Sequence, residues 1–206
     1  MELSRAAAKH IGKEPLYDEQ DIVVAMRQWE GVPYHQPQEL ADGVVLEFLD
    51  AGHILGSAMA RFTRHGGGQA RSVVFTGDLG GGNSPLLSPC ESPVGAQYLV
   101  MESVYGDRMR QDDKHRRDLL ENIIEEVVAK SGTLLVPAFS TERTQDLLFE
   151  IRALMLEKRI PSMPVYLDSP LAEKITAAYM AYPQYFSGDI QKRIAAGEKI
   201  FDFPKL

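Results

Sequence analysis

The sequence predicts an α/β protein, and three observations carry that expectation. Short β-branched runs separated by Gly-rich turns occupy the stretch up to residue 102. Beyond residue 103, apolar runs alternate with segments of helical periodicity. The strand-then-helix step recurs three times in that second stretch, which calls for a parallel sheet with helices on its faces.

Taken in order, residues 1–40 are polar with short helical patches. The clearest is 18–29 (DEQDIVVAMRQW), with acidic residues at its start, where the helix dipole favours them. Strands are expected at 44–49, 58–63, 71–76 and 98–102, divided by turns such as "HGGGQ". Residues 113–130 follow as a helix with a double apolar stripe at 119, 120, 123, 124, 127 and 128, ended by Gly132. Residues 133–139 (TLLVPAF) are expected as a buried strand, Ser140 as an N-cap and 142–157 as a second amphipathic helix. A strand at 165–168 and a helix at 171–182 repeat the step. The division into domains is expected near residue 103.

Composition narrows the function classes. A chain of 206 residues holds one ordinary domain or two small ones, and 44% hydrophobic with 25% charged residues is typical of a globular protein. A net charge of −7 argues against bulk electrostatic binding of nucleic acid, because counterion release needs clustered Lys and Arg; a local basic groove remains open. The single Cys90 excludes an internal disulfide framework and is read as a structural residue. No apolar run approaches the roughly 18 residues a membrane span requires. A cytoplasmic protein without membrane association is expected.

Three side chains carry the chemistry. His53 lies in "LDAGHILGSA" after the first β-rich run, and alone it could be a metal ligand, a general base or a turn residue. Asp78 follows the run in "VVFTGDLG", and Glu102 ends the next in "YLVMESVYGDR". Each has a plainer reading: a solvated histidine in a turn, an Asx turn or helix cap, a strand-end glutamate facing water. Their repeated delivery at strand ends favours convergence on one rim, where imidazole and carboxylate suit Zn²⁺ and similar ions.

The ordered set "DAGHILGSA", "FTGDLG", "LVMESVYGDR", "LVPAFSTERTQDLL" and "VYLDSPLAEKIT" resembles the β-CASP branch of the metallo-β-lactamase superfamily, a group of RNA-processing nucleases, over roughly residues 10–180. The resemblance implies a partial metallo-β-lactamase αββα sandwich over 1–102 and a partial β-CASP α/β domain with a parallel sheet over 103–206. It implies zinc-dependent hydrolysis of RNA phosphodiesters by a two-metal centre, with single-stranded RNA as partner. His53 matches a metal ligand, Asp78 a bridging ligand that also orients the nucleophile, and Glu102 an acidic residue that assists catalysis beside the metals. Arg143 falls at the arginine of the family's GR-x-Q-E turn, although Glu142 and Asp146 stand where glycine and glutamate belong. Ser169 in "DSPLA" is a phosphate contact or a helix cap, with capping the simpler role.

The departures shape a further expectation. No His-x-His-x-Asp-His cluster precedes "DAGH", and the later β-CASP histidines do not appear. One His and one Asp fall short of the three protein ligands usual for a catalytic zinc. The chain is therefore read as part of a larger enzyme, expected by itself to bind Zn²⁺ weakly, to leave RNA intact and to self-associate through uncovered apolar edges. A non-catalytic scaffold of the same fold and a small-molecule hydrolase are the alternatives.

Overall fold

The structure, a computed structural model, describes residues 12, 15–108 and 115–203. The chain divides into two units, residues 1–33 and 34–206. In the first, helix α1 spans Glu19–Met26, shorter than the expected 18–29. It starts at Asp18 because the carboxylate accepts from the Gln20 and Asp21 amides at 2.7 and 3.1 Å, while Asp21 accepts from the Asp18 amide at 2.8 Å. This reciprocal capping box satisfies backbone donors that a helix start leaves free.

The second unit opens with five strands in one sheet of order β1-β2-β3-β4-β5. β1 is Gln38–Ala41, β2 Val44–Asp50, β3 Ala58–Arg64, β4 Arg71–Phe75 and β5 Tyr98–Val100. Four match expected strands within two residues. β1 lies outside the expected strands, since its four residues (QELA) are all exposed and carry no β-branched run, but Asp42-Gly43 makes the two-residue connection that favours a tight hairpin. The first three pairings are antiparallel, and β4 pairs with β5 in parallel. The chain is thus a mixed α/β protein with parallel pairing.

Register decides what each face meets. On one side Leu49, Met59 and Val74 are at most 4% exposed and pack with Ala51, partly buried Leu79 and Ala96. On the other, Phe62 and Phe75 meet edge to face at 6.0 Å, yet Phe75 and Val100 remain 44% and 52% exposed. All three residues of β5 are exposed, so the expectation of uncovered apolar surface at a sheet edge is met.

The remaining elements are α2 (Arg116–Ala129), α3 (Arg143–Leu156), α4 (Pro170–Ala181), a 3₁₀ turn (Pro183–Tyr185) and α5 (Gly188–Ala195). The expected first residues of α2, 113 and 114, lie outside the described residues. A second apolar cluster, including Ile124, Leu148, Leu154, Ile190 and Ile200, holds these helices together; Leu86 and Leu87 from the preceding loop belong to it. Only half of the α2 stripe is used: Ile124 is buried and Leu120 packs, whereas Leu119 is 60% exposed.

Several local expectations are corrected. Residues 133–139 and 165–168 form no ladder among the described residues. Leu134, Val165 and Leu167 pack on the helical cluster, while Leu135, Phe139 and Tyr166 stay more than 80% exposed. Alternation survives, but no neighbouring strand takes up the backbone groups. Ser140 is not the cap of α3; Glu142 is, and its side chain makes no capping bond. The first turn reaches backwards instead: Thr144 Oγ1 donates to the Phe139 carbonyl at 2.7 Å and Gln145 Nε2 to the Ser140 carbonyl at 3.1 Å. At the end of α2, Ser131 rather than Gly132 takes the left-handed conformation (φ 52°), with paired bonds from residues 131 and 132 back to Val128 and Val127.

Candidate functional site

The His53 loop is wound around one hydroxyl. Ser57 Oγ accepts from the amides of His53 and Ile54 at 3.0 and 3.2 Å, and the Ser57 amide closes a turn onto the Ile54 carbonyl at 2.9 Å. Ala51 N donates to the Ser57 carbonyl at 3.1 Å, and Tyr34 Oη donates to the same oxygen at 2.7 Å. His53 is thereby held, half-buried, at the start of a fixed turn just beyond β2. Beneath it Asp50 accepts from Gly52 N at 2.7 Å; burial raises its carboxyl above the ordinary range and that bond acts against the rise. Burial also pushes the Tyr34 phenol above its ordinary value, with Asp50 adding to it.

The Asp78 loop is fastened to this turn. Gly80 N donates to the Ala51 carbonyl at 2.9 Å. A Cβ on Gly80 would lie 1.7 Å from the Gly52 carbonyl oxygen and 2.9 Å from the His53 amide nitrogen, so the two loops touch through bare backbone. Asp78 itself is exposed, two residues before the contact.

A buried threonine joins the third loop. Thr76, 2% exposed, receives the Glu102 amide on Oγ1 at 3.2 Å and donates to the Gly77 carbonyl at 2.8 Å. Its own amide donates to the Val100 carbonyl at 3.0 Å, continuing the β4 to β5 pairing past the strand ends. Glu102 Oε2 accepts from the Val104 amide at 2.9 Å, so one carboxylate oxygen shapes its own turn. His53, Asp78 and Glu102 therefore sit on three loops tied in series along one end of the sheet.

Arg143 and Ser169 lie on the helical part. Arg143 is the exposed first residue of α3. Ser169 caps α4, accepting the Ala172 amide at 3.2 Å, which is the simpler of its two expected roles. Glu142 has φ 66°, a left-handed backbone that costs a non-glycine residue of order 1 kcal/mol; glycine at this place in the GR-x-Q-E turn would adopt it freely. Cys90, expected as structural, has an exposed thiol.

A second polar group forms around Asp146, which the sequence marked only as the residue at the glutamate of the GR-x-Q-E turn. Asp146, 6% exposed, accepts from Ser84 Oγ at 2.8 Å. Burial drives its carboxyl up to about 6; the Ser84 bond opposes this, the Glu142 charge adds to it, and Arg116 and Arg143 pull it down. Gln145 is fully buried, donating to Ser140 and Thr176 with its Oε1 unpartnered. Tyr179 Oη accepts the Leu55 amide at 3.4 Å, linking α4 to the His53 loop. Nothing in local sequence signals that these residues are buried, because an acid in the first turn of a helix ordinarily faces water.

His53 and Asp78 are zinc-competent types, but among the described residues no three His, Cys, Asp or Glu side chains lie close enough to share an ion. The donors present do not fit a catalytic zinc centre by themselves. Among the described residues no helix is long and apolar enough to cross a membrane.

Comparison with known proteins bears on the same residues. A Beta-Casp domain model matches residues 144–206, from the first turn of α3 onward. Ribonuclease TTHA0252 of Thermus thermophilus is 30% identical over 202 residues, covering 98% of this chain and 45% of the relative. An RNase J-like protein of Methanocaldococcus jannaschii is 30% identical, covering 86% of this chain and 42% of its own length. The transcription termination factor FttA of the same organism is 33% identical, with 91% and 29% covered. The chain spans less than half the length of these relatives.

Proposed function

We propose that this member of the β-CASP family contributes part of the catalytic rim of an RNA-processing ribonuclease that hydrolyses phosphodiester bonds. The observation that carries the reading is the serial fastening of the His53, Asp78 and Glu102 loops, which gives three chemically competent side chains one rigid frame. The relatives named as ribonucleases support RNA as the substrate class over a small molecule.

In this reading His53 and Asp78 present an imidazole and a carboxylate toward the reacting phosphate, and Glu102 holds or polarises a neighbouring group. Arg143 is assigned a secondary phosphate contact, exposed at the start of α3. Zinc dependence belongs to the proposal for the enzyme as a whole. The described residues do not complete an ion's shell, so no step of hydrolysis is assigned to a metal held by them alone. Cytoplasmic location is part of the same proposal.

The test joins this chain to the portion of the Thermus thermophilus ribonuclease that lies outside the match. The folded chimera is expected to cleave labelled single-stranded RNA in the presence of zinc, whereas the 206-residue chain alone is expected to leave it intact. His53→Ala or Asp78→Ala in the chimera is expected to abolish cleavage with an unchanged melting temperature. Full activity in either variant refutes the assignment. A folded, zinc-loaded chimera that binds RNA without cutting it favours the scaffold reading.

A further inference from the structure

We infer that the opposite end of the sheet carries a second binding site, for the phosphate backbone of a single-stranded RNA. This inference rests on the RNA reading above but uses different residues. β3 runs from Ala58, beside the His53 loop, to Arg64, so its far end lies about 20 Å away at 3.3 Å per residue. There the hairpin loop between β3 and β4 closes a cavity of about 540 Å³ lined by Arg64, His65, Gly67, Gln69, Arg71 and Tyr98 among others, none of them acidic.

The register makes this basic end unusual. Arg64 and Arg71 are direct cross-strand partners, and their side chains emerge on the same face. Like charges placed opposite one another destabilise a sheet, and neither guanidinium has an ion-pair partner among the described residues. Several other arginines are paired with acids: Arg61 with Glu47, Arg152 and Arg193 with Glu198, Arg159 with Asp118. A chain of net charge −7 has acid to spare, yet places none in this cavity. An external anion would relieve the repulsion that the fold leaves standing.

The rest of the cavity suits a nucleotide strand. Gly66, Gly67 and Gly68 have φ of 127°, 70° and 118°, and a Cβ on any of them would meet nothing within 4 Å. The loop backbone is thus open to an incoming phosphate. Its base is fixed, because His65 N donates to the Gly43 carbonyl at 2.7 Å and Gln97 Nε2 to the Ala70 carbonyl at 3.2 Å. Tyr98, 59% exposed, lies on the same face as Arg71 by its pairing with Val73 and offers a ring for base stacking. Paired cations, an unobstructed loop and an exposed aromatic together match backbone contact with stacking.

The test measures binding of a short labelled oligo(U) to the 206-residue chain by fluorescence anisotropy across a salt series. Arg64→Gln with Arg71→Gln is expected to weaken binding at least tenfold at low salt and to reduce the log affinity against log salt slope by about 1.4, as expected for two lost phosphate contacts on a single strand. Tyr98→Leu is expected to weaken binding about tenfold, while Lys174→Gln, an exposed cation elsewhere, changes it little. Without RNA, the double variant is expected to melt higher than the parent by a degree or more, and oligo(U) is expected to raise the melting temperature of the parent only. Parent-like affinity and slope in the double variant overturn this site and leave the RNA reading standing. Protection of the parent by inorganic phosphate but not by oligo(U) overturns the RNA assignment of the cavity. Failure of the parent chain to bind oligo(U) at any salt counts against both.

Discussion

Replacing Asp146 with Asn tests whether the polar cluster beside the His53 loop holds a misplaced charge. Asp146 is 6% exposed and its carboxyl is driven from an ordinary 3.8 to about 6, chiefly by burial. A folded-state value above the unfolded one means that the native chain binds the proton more tightly. Stability is then greatest below about pH 4 and falls as pH rises through the interval to about 6, the reverse of an ion-paired carboxylate. At 1.36 kcal/mol for each tenfold change in proton affinity, the penalty at neutral pH is about 3 kcal/mol. Asn keeps an oxygen to accept the Ser84 hydroxyl and carries no charge. Asp146→Asn is therefore expected to stabilise the protein at pH 7.5 by up to about 3 kcal/mol and to change it little at pH 4. Urea denaturation of both proteins at intervals between these pH values measures the difference directly, since other titrating groups cancel. A pH-independent difference, or a loss of stability that grows toward pH 7.5, refutes the reasoning.

Thr76→Val removes the hydroxyl that receives the Glu102 amide, leaving that amide and the Gly77 carbonyl short of a partner. It is expected to cost about 1–3 kcal/mol in denaturant titration and to speed amide exchange at residues 102–104. Gly80→Ala drives a methyl into the Gly52 carbonyl and is expected to cost about 3 kcal/mol or to prevent folding, whereas Gly188→Ala, which meets open space, leaves folding intact. The exposed row Tyr98, Leu99, Val100 and Met101 predicts concentration-dependent association in analytical ultracentrifugation, reduced by Leu99→Lys.

Much of the fold was legible because local composition and helical periodicity mark elements. β-rich runs bounded by Gly-rich turns placed β2 to β5, and helical apolar spacing placed α2, α3 and α4 to within a few residues of their observed ends. The second half was harder. Residues 133–139 and 165–168 have strand-like alternation, but a ladder also requires a neighbour to accept its hydrogen bonds, and composition says nothing about neighbours. The same limit explains the α2 stripe, of which Leu119 had no partner to bury it.

The sequence by itself determined the fold class and the position of His53, Asp78 and Glu102 just after strand ends, since strand ends and turn glycines are local features that short-range sterics dictate. It also placed Ser169 as a helix cap. Only the tertiary structure decided how His53, Asp78 and Glu102 are fastened, because the clasps are the Thr76 hydroxyl and the bare backbone of Gly80, residues whose partners lie 26 and 29 positions away. It likewise decided that Asp146 is buried and that Arg64 opposes Arg71. Burial and charge proximity are properties of folded neighbours, which chain order alone does not supply.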